Sequence, residues 1–476
     1  MTGRPPSRPP HPVRPRPCPE VTGGRPAVGG RMTPMRHHTP DSPTAPDTPG
    51  DPSPTGEISL EPVHLIEKSN AIMRLGMMML QAGSSSFRIK QAMSRAARAL
   101  GITSLHTQVT ATEIVTTFFR GMIFRTRVAE VRVGGVDSDR IVELERLSHH
   151  MPAGMMPDEL DRRLDRIAGR PRHYPTWLTL IAAVMACSGF AFLNNGGWQE
   201  CLGVALSVAI AQWVRVTLTR MRINQLAMYG VAGLVAALGY VVFTGALAAL
   251  SGQVSPQHDA GFTSALLLLV PGFPLVTATL DLARLDLSSA IGRLAYATLV
   301  LAAVSLGAWG VAEAFALQPT VAPTPDWPLW VLAGSRLIAG FIAVTGFAMM
   351  FNTPFPIALG AAGVGAVANA LRLAAGDVGW PAQLATGLAA LLVGLLAWVI
   401  ATRLDAPRIT LTVPAVLIMV PGSSAYRSLV YLQAGDIVPA AEHGVQALAA
   451  IMALAVGLTI ARLLTEREWS FDHLRG

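Results

Sequence analysis

Two short motifs interrupt long apolar segments of this chain near their middles: Leu268-Leu-Val-Pro-Gly-Phe-Pro274 and Leu417-Ile-Met-Val-Pro-Gly-Ser-Ser424. Proline removes an intrahelical hydrogen bond and glycine permits an irregular turn, so each motif predicts a break in a helix. An aspartate follows each motif at the same distance from its proline, Asp286 in the first and Asp436 in the second. The matched pair predicts two related halves, each with one broken helix.

The segments around these motifs are long enough to cross a lipid bilayer. The chain of 476 residues is 51% hydrophobic and 14% charged, whereas a typical soluble protein is about 25% charged. Apolar stretches of the ~18 residues that a transmembrane helix needs begin only near residue 175 and continue almost to the end. They predict ten transmembrane helices, at 176–194, 198–219, 226–250, 261–281, 288–317, 328–350, 354–372, 380–402, 408–432 and 439–464.

The sequence before the first of these helices divides into two parts. Residues 1–57 form a Pro/Arg-rich tail without apolar periodicity, which predicts disorder. Residues 58–172 carry apolar residues at helical spacing, then β-branched and aromatic stretches at 102–109, 113–119 and 123–133, then two further helical patterns. We therefore expect a soluble, cytoplasmic α+β domain with the order helices, strands, helices.

The predicted fold class is an α-helical polytopic membrane protein of about ten transmembrane helices, with a 5+5 inverted repeat and an N-terminal soluble α+β domain. Membrane repeat 1 covers residues 173–320, membrane repeat 2 covers residues 321–466, and residues 467–476 form a C-terminal tail. Corresponding helices are five apart along the chain. Because five is odd, the second repeat must run through the membrane in the opposite direction to the first.

The distribution of Lys and Arg predicts the orientation of the helices. Arginines cluster in the loops on the side of the α+β domain, and the main loops on the other side contain neither Lys nor Arg. Both termini are therefore expected in the cytoplasm, and the protein in the plasma (inner) membrane. Arg372 is the main exception. The inverted repeat accounts for it, because Asn369 and Arg372 correspond to Gln212 and Arg215.

The candidate site lies at the two breaks, where freed backbone groups must face protein or a water-filled cavity and where half-helix ends can hold the charged groups of an amino acid. Candidate substrate-binding residues are Pro271, Gly272, Phe273, Pro274, Pro421, Gly422, Ser423 and Ser424. Candidate ion-coupling residues are Asp281, Asp286 and Asp436. Candidate pathway residues are Arg293, Gln212, Arg215, Asn369 and Arg372.

Purely structural roles are the alternatives for these polar residues. The three aspartates lie toward the ends of their segments, where they can be hydrated loop charges paired with arginines such as Arg284 and Arg293. Glu313 and Arg336 can likewise form a structural ion pair. The three serines at 84–86 follow a glycine that ends a predicted helix, so we expect them to cap the next helix.

The sequence motifs and the placement of charge predict a transporter that has neither a cofactor nor a metal site. Cys18, Cys187 and Cys201 are far apart and have no zinc-ligand spacing. No Walker motif occurs, so coupling to an ion gradient is expected. The net charge of +7 lies largely in the tail and in loops beside apolar segments, which argues against a nucleic-acid partner. The expected partners are a small-molecule substrate, protons and the lipid bilayer, and a homo-oligomer is left open.

Several motifs occur in a fixed order along the chain. They are Ala82-Gly83 before a basic helix that ends at Gly101, then Val270-Pro-Gly-Phe-Pro274 with Asp281, Asp286 and Arg293, and finally Val420-Pro-Gly-Ser-Ser-Ala-Tyr426. With these motifs the chain, from about Ile66 to the C-terminus, resembles the threonine/serine exporter family. The resemblance implies a cytoplasmic domain fused to ten transmembrane helices, and export of threonine and serine driven by the proton motive force. Related two-chain systems imply dicarboxylate export as an alternative.

Two further hypotheses belong to other functional classes. In one, the chain is a membrane-anchored hydrolase that acts through its soluble domain, although no G-x-S-x-G motif occurs. In the other, it is a membrane sensor that binds a metabolite without moving it. Paired inverted repeats with broken helices favour a transporter over a sensor, because a sensor needs no alternating access.

Overall fold

The N-terminal part of the chain is built from helices and a three-stranded antiparallel sheet with the strand order β1-β2-β3. The computed structural model describes residues 61–131, 135–252, 258–315, 317 and 323–466, so the tails predicted at 1–57 and 467–476 lie outside the described residues. The elements are α1 (Glu61–Gln81), α2 (Ser86–Ala99), β1 (Ser104–Val109), β2 (Glu113–Arg120), β3 (Ile123–Glu130), α3 (Ser138–His149) and α4 (Pro157–Ala168). We call this part the α+β region.

The α+β region has its own apolar core. Helices α1 and α2 pack against one face of the sheet because their apolar side chains recur every three or four residues on one side. The core is formed by buried residues from α1 to α4, β1 and β2, among them Ile72, Leu75, Met79, Ile89, Met93, Val109, Ile114, Phe118, Leu144, Leu160 and Leu164, and β3 packs against it with half-buried residues. Gly83 ends the turn after α1 with φ +96°, a conformation that residues with a side chain rarely adopt.

The remaining helices are apolar and long. Eight of the described helices are long and apolar enough to cross a membrane: α5 (Thr176–Leu193), α6 (Trp198–Arg220), α7 (Gln225–Ser251), α10 (Leu287–Ala314), α11 (Leu329–Met350), α12 (Phe355–Asp377), α13 (Ala382–Leu404) and α16 (Ile437–Thr465). Two bent pairs add up to two more spans: α8 (His258–Leu266) with α9 (Gly272–Ala283), and α14 (Ile409–Leu417) with α15 (Gly422–Gln433). These helices fall within a few residues of the ten predicted segments.

Both predicted breaks are present, and their backbones match. The bend is 72° between α8 and α9 and 50° between α14 and α15. Pro271 has φ −77° and ψ 62°, and Pro421 has φ −77° and ψ 56°. The short helix after each break is 12 residues long, and the next helix begins after Asp286 in one case and Asp436 in the other. The local structure of the break therefore occurs twice.

Helix packing repeats in the same way. Helix α7 crosses α10 where Gly307 meets Gly230, and α13 crosses α16 where Gly457 meets Gly387. A Cβ atom added at Gly307 would lie 2.6 Å from the carbonyl oxygen of Gly230, closer than such atoms can approach. Small residues at membrane helix crossings allow this close backbone contact. The two halves, α5–α10 and α11–α16, thus share a break and a glycine crossing.

The glycine crossing predicts that alanine substitutions at two neighbouring positions of α10 have opposite effects on stability. Gly307→Ala should destabilise the protein by about 1–3 kcal/mol, because its methyl group meets backbone that cannot move aside. Gly310→Ala, on the same helix with no atom within 4 Å of an added Cβ, should be neutral or slightly stabilising, because alanine favours helix by up to about 1 kcal/mol. Thermal unfolding of both purified variants in detergent measures the difference, and equal melting temperatures would contradict the crossing.

Candidate functional site

The two breaks lie against each other in the middle of the helix assembly. A side chain added at Gly272 would collide with Leu417, and one added at Gly422 would lie 3.6 Å from Leu267. The rings of Phe262 and Tyr426, from α8 and α15, are 5.6 Å apart. The structure therefore brings together the two groups of predicted substrate-binding residues, 271–274 and 421–424.

A cavity of about 330 Å³ opens at the second break. Pro421, Ser423 and Ser424 line it on one side, and Arg372 lies on another. The remaining lining is apolar or carries amides and hydroxyls, from Phe190, Leu193, Asn194, Ala382, Gln383, Thr386, Ile418, Met419, Val420, Gln446 and Ala450. Among these described residues the cavity has one cation and no carboxylate, so it is suited to a ligand with a negative group.

The unwound backbone at this break adds acceptors to the cavity wall. Within the described part of the chain, no backbone N–H donates to the carbonyl groups of Ile418 and Met419. Both residues line the cavity. Carbonyl groups left open in this way can accept hydrogen bonds from a bound ammonium group.

The cation of this cavity is held by a contact that recurs in the first half. Arg372 Nε donates to Asn369 Oδ1 at 2.9 Å, and Arg215 Nε donates to Gln212 Oε1 at 2.8 Å. Each pair joins residues three apart on one helix, α12 and α6 respectively. Four of the five predicted pathway residues thus form two equivalent pairs, and Arg372 of the second pair lines the cavity.

The first break is covered by the α+β region. Phe273 lies against Gly83 of the turn between α1 and α2, and its ring meets that of Phe351 edge-on at 5.5 Å. Asp137, before α3, donates its backbone N–H to the carbonyl oxygen of Ala82. Phe273 is buried by this packing. The two breaks are therefore alike in backbone and different in surroundings.

Beside the first break, the start of α2 binds two of the three predicted aspartates. Ser86 donates its backbone N–H to Asp281 Oδ1 at 3.2 Å, and its hydroxyl lies 2.7 Å from Asp286 Oδ2. Lys90 Nζ, one turn further along α2, donates to Asp286 Oδ2 at 2.5 Å. We call Ser86, Lys90, Asp281, Asp286 and Arg293 the docking cluster, because it joins the α+β region to helices α9 and α10.

Arg293 closes the docking cluster from α10. Its guanidinium lies 3.3 Å from Asp281 Oδ2 and donates to Thr277 Oγ1 at 3.0 Å and to the carbonyl oxygen of Ser84 at 2.8 Å. Ser289 adds a hydrogen bond to Asp281 at 3.0 Å. Arg293 and Asp281 are both buried, and a buried ion pair of this kind needs such additional hydrogen bonds to offset its desolvation.

The second half places different chemistry at the equivalent positions. At the offset of 150 residues that relates Pro271 to Pro421, Asp281 corresponds to Tyr431 and Arg293 to His443. Those two rings stack, with centroids 5.6 Å apart and planes within 8°. An aromatic pair therefore replaces the ion pair. Asp436, the third predicted ion-coupling residue, is exposed at the start of α16.

Further contacts fix the α+β region to the same side of the helix assembly. Asn352, in the turn between α11 and α12, donates to Asp137 Oδ1 at 2.9 Å and accepts from the backbone N–H of His173 at 2.9 Å. Arg146 on α3 lies 3.3 Å from Asp405, which follows α13. The turns α9–α10, α11–α12 and α13–α14 therefore face one way, as the Lys and Arg distribution requires.

Burial and hydrogen bonding act in opposite directions on Asp286, which lies between α9 and α10. Partial burial alone would raise the pKa of its carboxyl group, but hydrogen bonds from Lys90 and Ser86 hold that pKa below the ordinary value of 3.8. The carboxylate is thus ionised at neutral pH in this conformation. Its contribution to docking is fully present above about pH 4 and is lost only as the pH falls through the lowered pKa.

Three expectations about individual polar residues need correction or completion. Ser85 is the N-cap of α2 but makes no side-chain capping bond, and it is Ser86 that carries the contacts to the aspartates. Arg336 pairs with Asp377 on α12 rather than with Glu313. Asp281 does pair with Arg293, as the structural alternative expected, whereas Asp286 pairs with Lys90.

Sequence reasoning missed Ser86, Lys90, Thr277 and Ser289 as members of this site. The run of three serines after Gly83 was a signal, because such residues commonly cap helices but also supply donors to a facing carboxylate. Thr277 and Ser289 had a positional signal. Each lies one turn from a charged residue on the same helix, Thr277 from Asp281 and Ser289 from Arg293.

Comparison with known proteins covers most of the described chain. A family model described as "Putative threonine/serine exporter" matches residues 70–315, and one described as "Threonine/Serine exporter, ThrE" matches residues 336–464. No solved structure matches the chain significantly. The first match includes the break at Pro271, and the second includes the break at Pro421.

Individual relatives carry two kinds of name. The "Probable threonine/serine exporter" of Mycobacterium tuberculosis is 24% identical, over 85% of this chain and 78% of its own length. The "Threonine/serine exporter" of Corynebacterium glutamicum is 22% identical, over 86% of each chain. The "Probable succinate transporter subunit YjjP" of Escherichia coli is 26% identical, over 51% of this chain and 93% of its own length.

The docking cluster predicts how tightly the start of α2 is held. Lys90→Met should lower the hydrogen-exchange protection of residues 84–90 about fivefold, because a partly exposed charged contact contributes on the order of 1 kcal/mol. Lys68→Met, in the same region but outside the cluster, serves as the matched control. Hydrogen–deuterium exchange of the full chain in nanodiscs measures both variants.

The same experiment tests the ionisation of Asp286. Once corrected for intrinsic exchange, protection of residues 84–90 should stay constant between about pH 5 and pH 8, because the lowered pKa lies below this window. Because Ser86 also donates to Asp281, a loss of protection between those values that persists in Asp281→Asn would show that Asp286 titrates there and that Lys90 and Ser86 do not hold its carboxylate.

Proposed function

Because the chain belongs to the threonine/serine exporter family, we propose that it is a secondary transporter that exports threonine and serine in exchange for protons. We place it in the plasma (inner) membrane of the cell, with both termini and the α+β region, as a soluble domain, in the cytoplasm. The observation that carries the proposal is the cavity of about 330 Å³ at the second break, with Arg372 as its one cation among the described lining residues.

The cavity suits the groups that threonine and serine share. The guanidinium of Arg372 can bind an α-carboxylate through two parallel hydrogen bonds. The open carbonyl groups of Ile418 and Met419 offer acceptors for the α-ammonium. Ser423 and Ser424, at the start of α15, and Thr386 supply hydroxyls that can pair with the hydroxyl of the substrate.

The repeated architecture supports transport by alternating access. Matched breaks, matched Arg–amide pairs and matched glycine crossings are what an inverted repeat requires. In such a repeat the two halves exchange conformations, so that the site faces each side of the membrane in turn. The break covered by the α+β region is then the closed end of one pathway, and the break that opens to a cavity is its open end.

Proton coupling is assigned to the acidic groups that follow the two breaks, above all to those of the first. Asp281 is the strongest candidate because it is buried and pairs with Arg293. A buried carboxylate whose partner can move away is able to change protonation during a transport cycle. Asp286 and Asp436 are the weaker candidates, since Lys90 holds the first and the second is exposed.

A dicarboxylate is the second candidate substrate, favoured by the likeness to the relative named a probable succinate transporter subunit. Against it, the described lining of the cavity supplies one cation, whereas a dicarboxylate has two carboxylates to neutralise. A hydrolase in the α+β region gains no support, because Ser84, Ser85 and Ser86 are buried at the docking cluster.

Amino acid efflux tests the substrate assignment. Cells that lack their own exporters are loaded with threonine- or serine-containing dipeptides, and release of the free amino acids is followed. The wild-type chain should speed release, and Arg372→Gln should slow it about tenfold or more, because a charged hydrogen-bonded pair contributes roughly 1.5–3 kcal/mol. Arg403→Gln, an exposed arginine at the end of α13, is the matched control and should behave as wild type.

A second transport assay distinguishes threonine and serine from a dicarboxylate as the substrate. Inverted membrane vesicles are supplied with labelled threonine, serine or succinate. Uptake of succinate without threonine or serine would show that the amino acid assignment is wrong and the dicarboxylate assignment right. No uptake of any of the three, with the protein present in the membrane, would contradict both.

Proton coupling has its own test. An uncoupler should abolish uphill efflux by the wild-type chain. Asp281→Asn should retain downhill exchange of threonine but lose accumulation driven by a pH gradient, because the amide cannot carry a proton. Thr277→Val, which removes another hydrogen bond to Arg293 without removing an acid, controls for damage to the docking cluster. If Asp281→Asn keeps full gradient-driven transport, the proton step lies elsewhere.

A further inference from the structure

A second cleft, of about 750 Å³, lies between α2, the sheet and the turn that joins α9 to α10. It is separate from the cavity at Arg372 and shares no lining residue with it. Its size is within the range of about 300–1,000 Å³ that small-molecule sites occupy. Of its described lining residues, the proposed transport of amino acids involves only Asp286, a weaker candidate for proton coupling.

The charge of the cleft is strongly unbalanced. Its described lining includes the basic residues Lys90, Arg95, Arg98, Arg284 and His106, but one carboxylate, Asp286. That carboxylate already accepts hydrogen bonds from Ser86 and Lys90. An excess of cations in a concave site attracts a ligand with more than one negative charge.

Two of these cations are fixed in place before any ligand arrives. Arg95 donates to Ser148 Oγ at 3.1 Å and 3.2 Å. The guanidinium of Arg284 stacks on the ring of Phe87 at 3.6 Å from its centroid. A cation held in one orientation loses less conformational entropy when it binds an anion.

Arg98 is different. Its side chain is exposed, and within the described part of the chain it has neither a hydrogen bond nor an ion pair. It lies on the same face of α2 as Gln91, Ser94 and Arg95, since these positions are three, four or seven residues apart. The cleft thus has a guanidinium that a ligand can engage without breaking an existing contact.

The neutral part of the lining matches an organic molecule. Phe87, Leu105 and Val115 give apolar surface, and Gln91, Ser94 and Thr117 give hydrogen-bonding groups. Guanidinium and ammonium groups together with hydroxyls and amides are the usual ligands of phosphate. A carboxylate group carries less negative charge than a phosphate group, so a carboxylate ligand of the same size would leave more of these cations unneutralised.

We propose that this cleft binds an organic phosphate, with Arg98, Arg95 and Lys90 as its phosphate ligands. The phosphate comes from a soluble metabolite such as a nucleotide or from the headgroup of an anionic lipid, since the turn α9–α10 lies at the end of a membrane-spanning segment. Lys90 connects the cleft to the docking cluster. A bound phosphate competes with Asp286 for the ammonium group of Lys90. Phosphate binding therefore weakens the Lys90–Asp286 contact that joins the α+β region to the turn α9–α10.

The test uses the full chain in nanodiscs and two soluble probes, ADP and inorganic pyrophosphate, with binding followed by microscale thermophoresis. Arg98→Gln should weaken binding about tenfold, because a charged hydrogen bond contributes roughly 1.5–3 kcal/mol. Arg166→Gln, an exposed arginine of α4 outside the cleft, should leave binding within about twofold. Asp286→Asn should tighten binding several-fold, because it removes the carboxylate and frees Lys90.

The lipid source is tested in parallel by exchanging phosphatidylcholine discs for discs that contain phosphatidylglycerol. If a headgroup supplies the phosphate, the anionic discs raise the melting temperature of the wild-type chain more than that of Arg98→Gln, and the soluble probes have no effect. The proposal is wrong if neither source binds, or if Arg166→Gln weakens binding as much as Arg98→Gln. Neither result depends on transport, so the proposed function stands or falls separately.

Discussion

The backbone groups freed at Pro271 and Pro421 constrain the rest of this structure. Lipid offers them no hydrogen-bond partner, so each broken helix must be surrounded by protein or by a polar cavity. Placing the two breaks against each other satisfies part of this requirement, and Gly272, where an added side chain would collide with Leu417, allows the contact. Long unbroken helices then enclose both breaks, and every polar feature of the candidate site is arranged around them.

The α+β region makes the two halves unequal. Their backbones match at the breaks, yet one break lies under Gly83 and the docking cluster while the other opens to a cavity with Arg372. The difference is chemical as well as steric, since the Asp281–Arg293 ion pair of the first half is a Tyr431–His443 stack in the second. A single helix, α2, carries the serine that binds the aspartates and the basic face of the second cleft. Any change in the position of α2 therefore reaches the docking cluster directly.

Much of the fold could be predicted from the sequence because its signals are local. Apolar runs, Pro-Gly steps and the distribution of arginine each depend on residues close together in the chain, and the predicted segments agree with the helices to within a few residues. The candidate residues at the breaks were found in the same way. The repeat was visible because two local signals, the Pro-Gly motif and the amide–arginine pair, each occur twice at matched spacing.

The contacts between distant segments could not be predicted. Ser86 and Asp281 are separated by 195 positions, and nothing near either residue specifies the other. Arg336 had Glu313 as its nearest acidic candidate within the apolar sequence, but the packing of α11 against α12 places Asp377 beside it instead. The cavity at Arg372 arises from five separate segments. Such sites depend on tertiary packing, and one sequence contains no pairing information for them.

The glycine crossings have a consequence for motion. At Gly230–Gly307 and Gly387–Gly457 two backbones touch without intervening side chains. Helices packed in this way would lose many backbone van der Waals contacts if they separated, so we expect α7 with α10, and α13 with α16, to move together. The conformational freedom of the molecule is then concentrated in the segments that these two frames enclose. Those segments are the short half-helices on either side of each Pro-Gly step, whose interrupted hydrogen-bond ladders make them the softest part of the assembly.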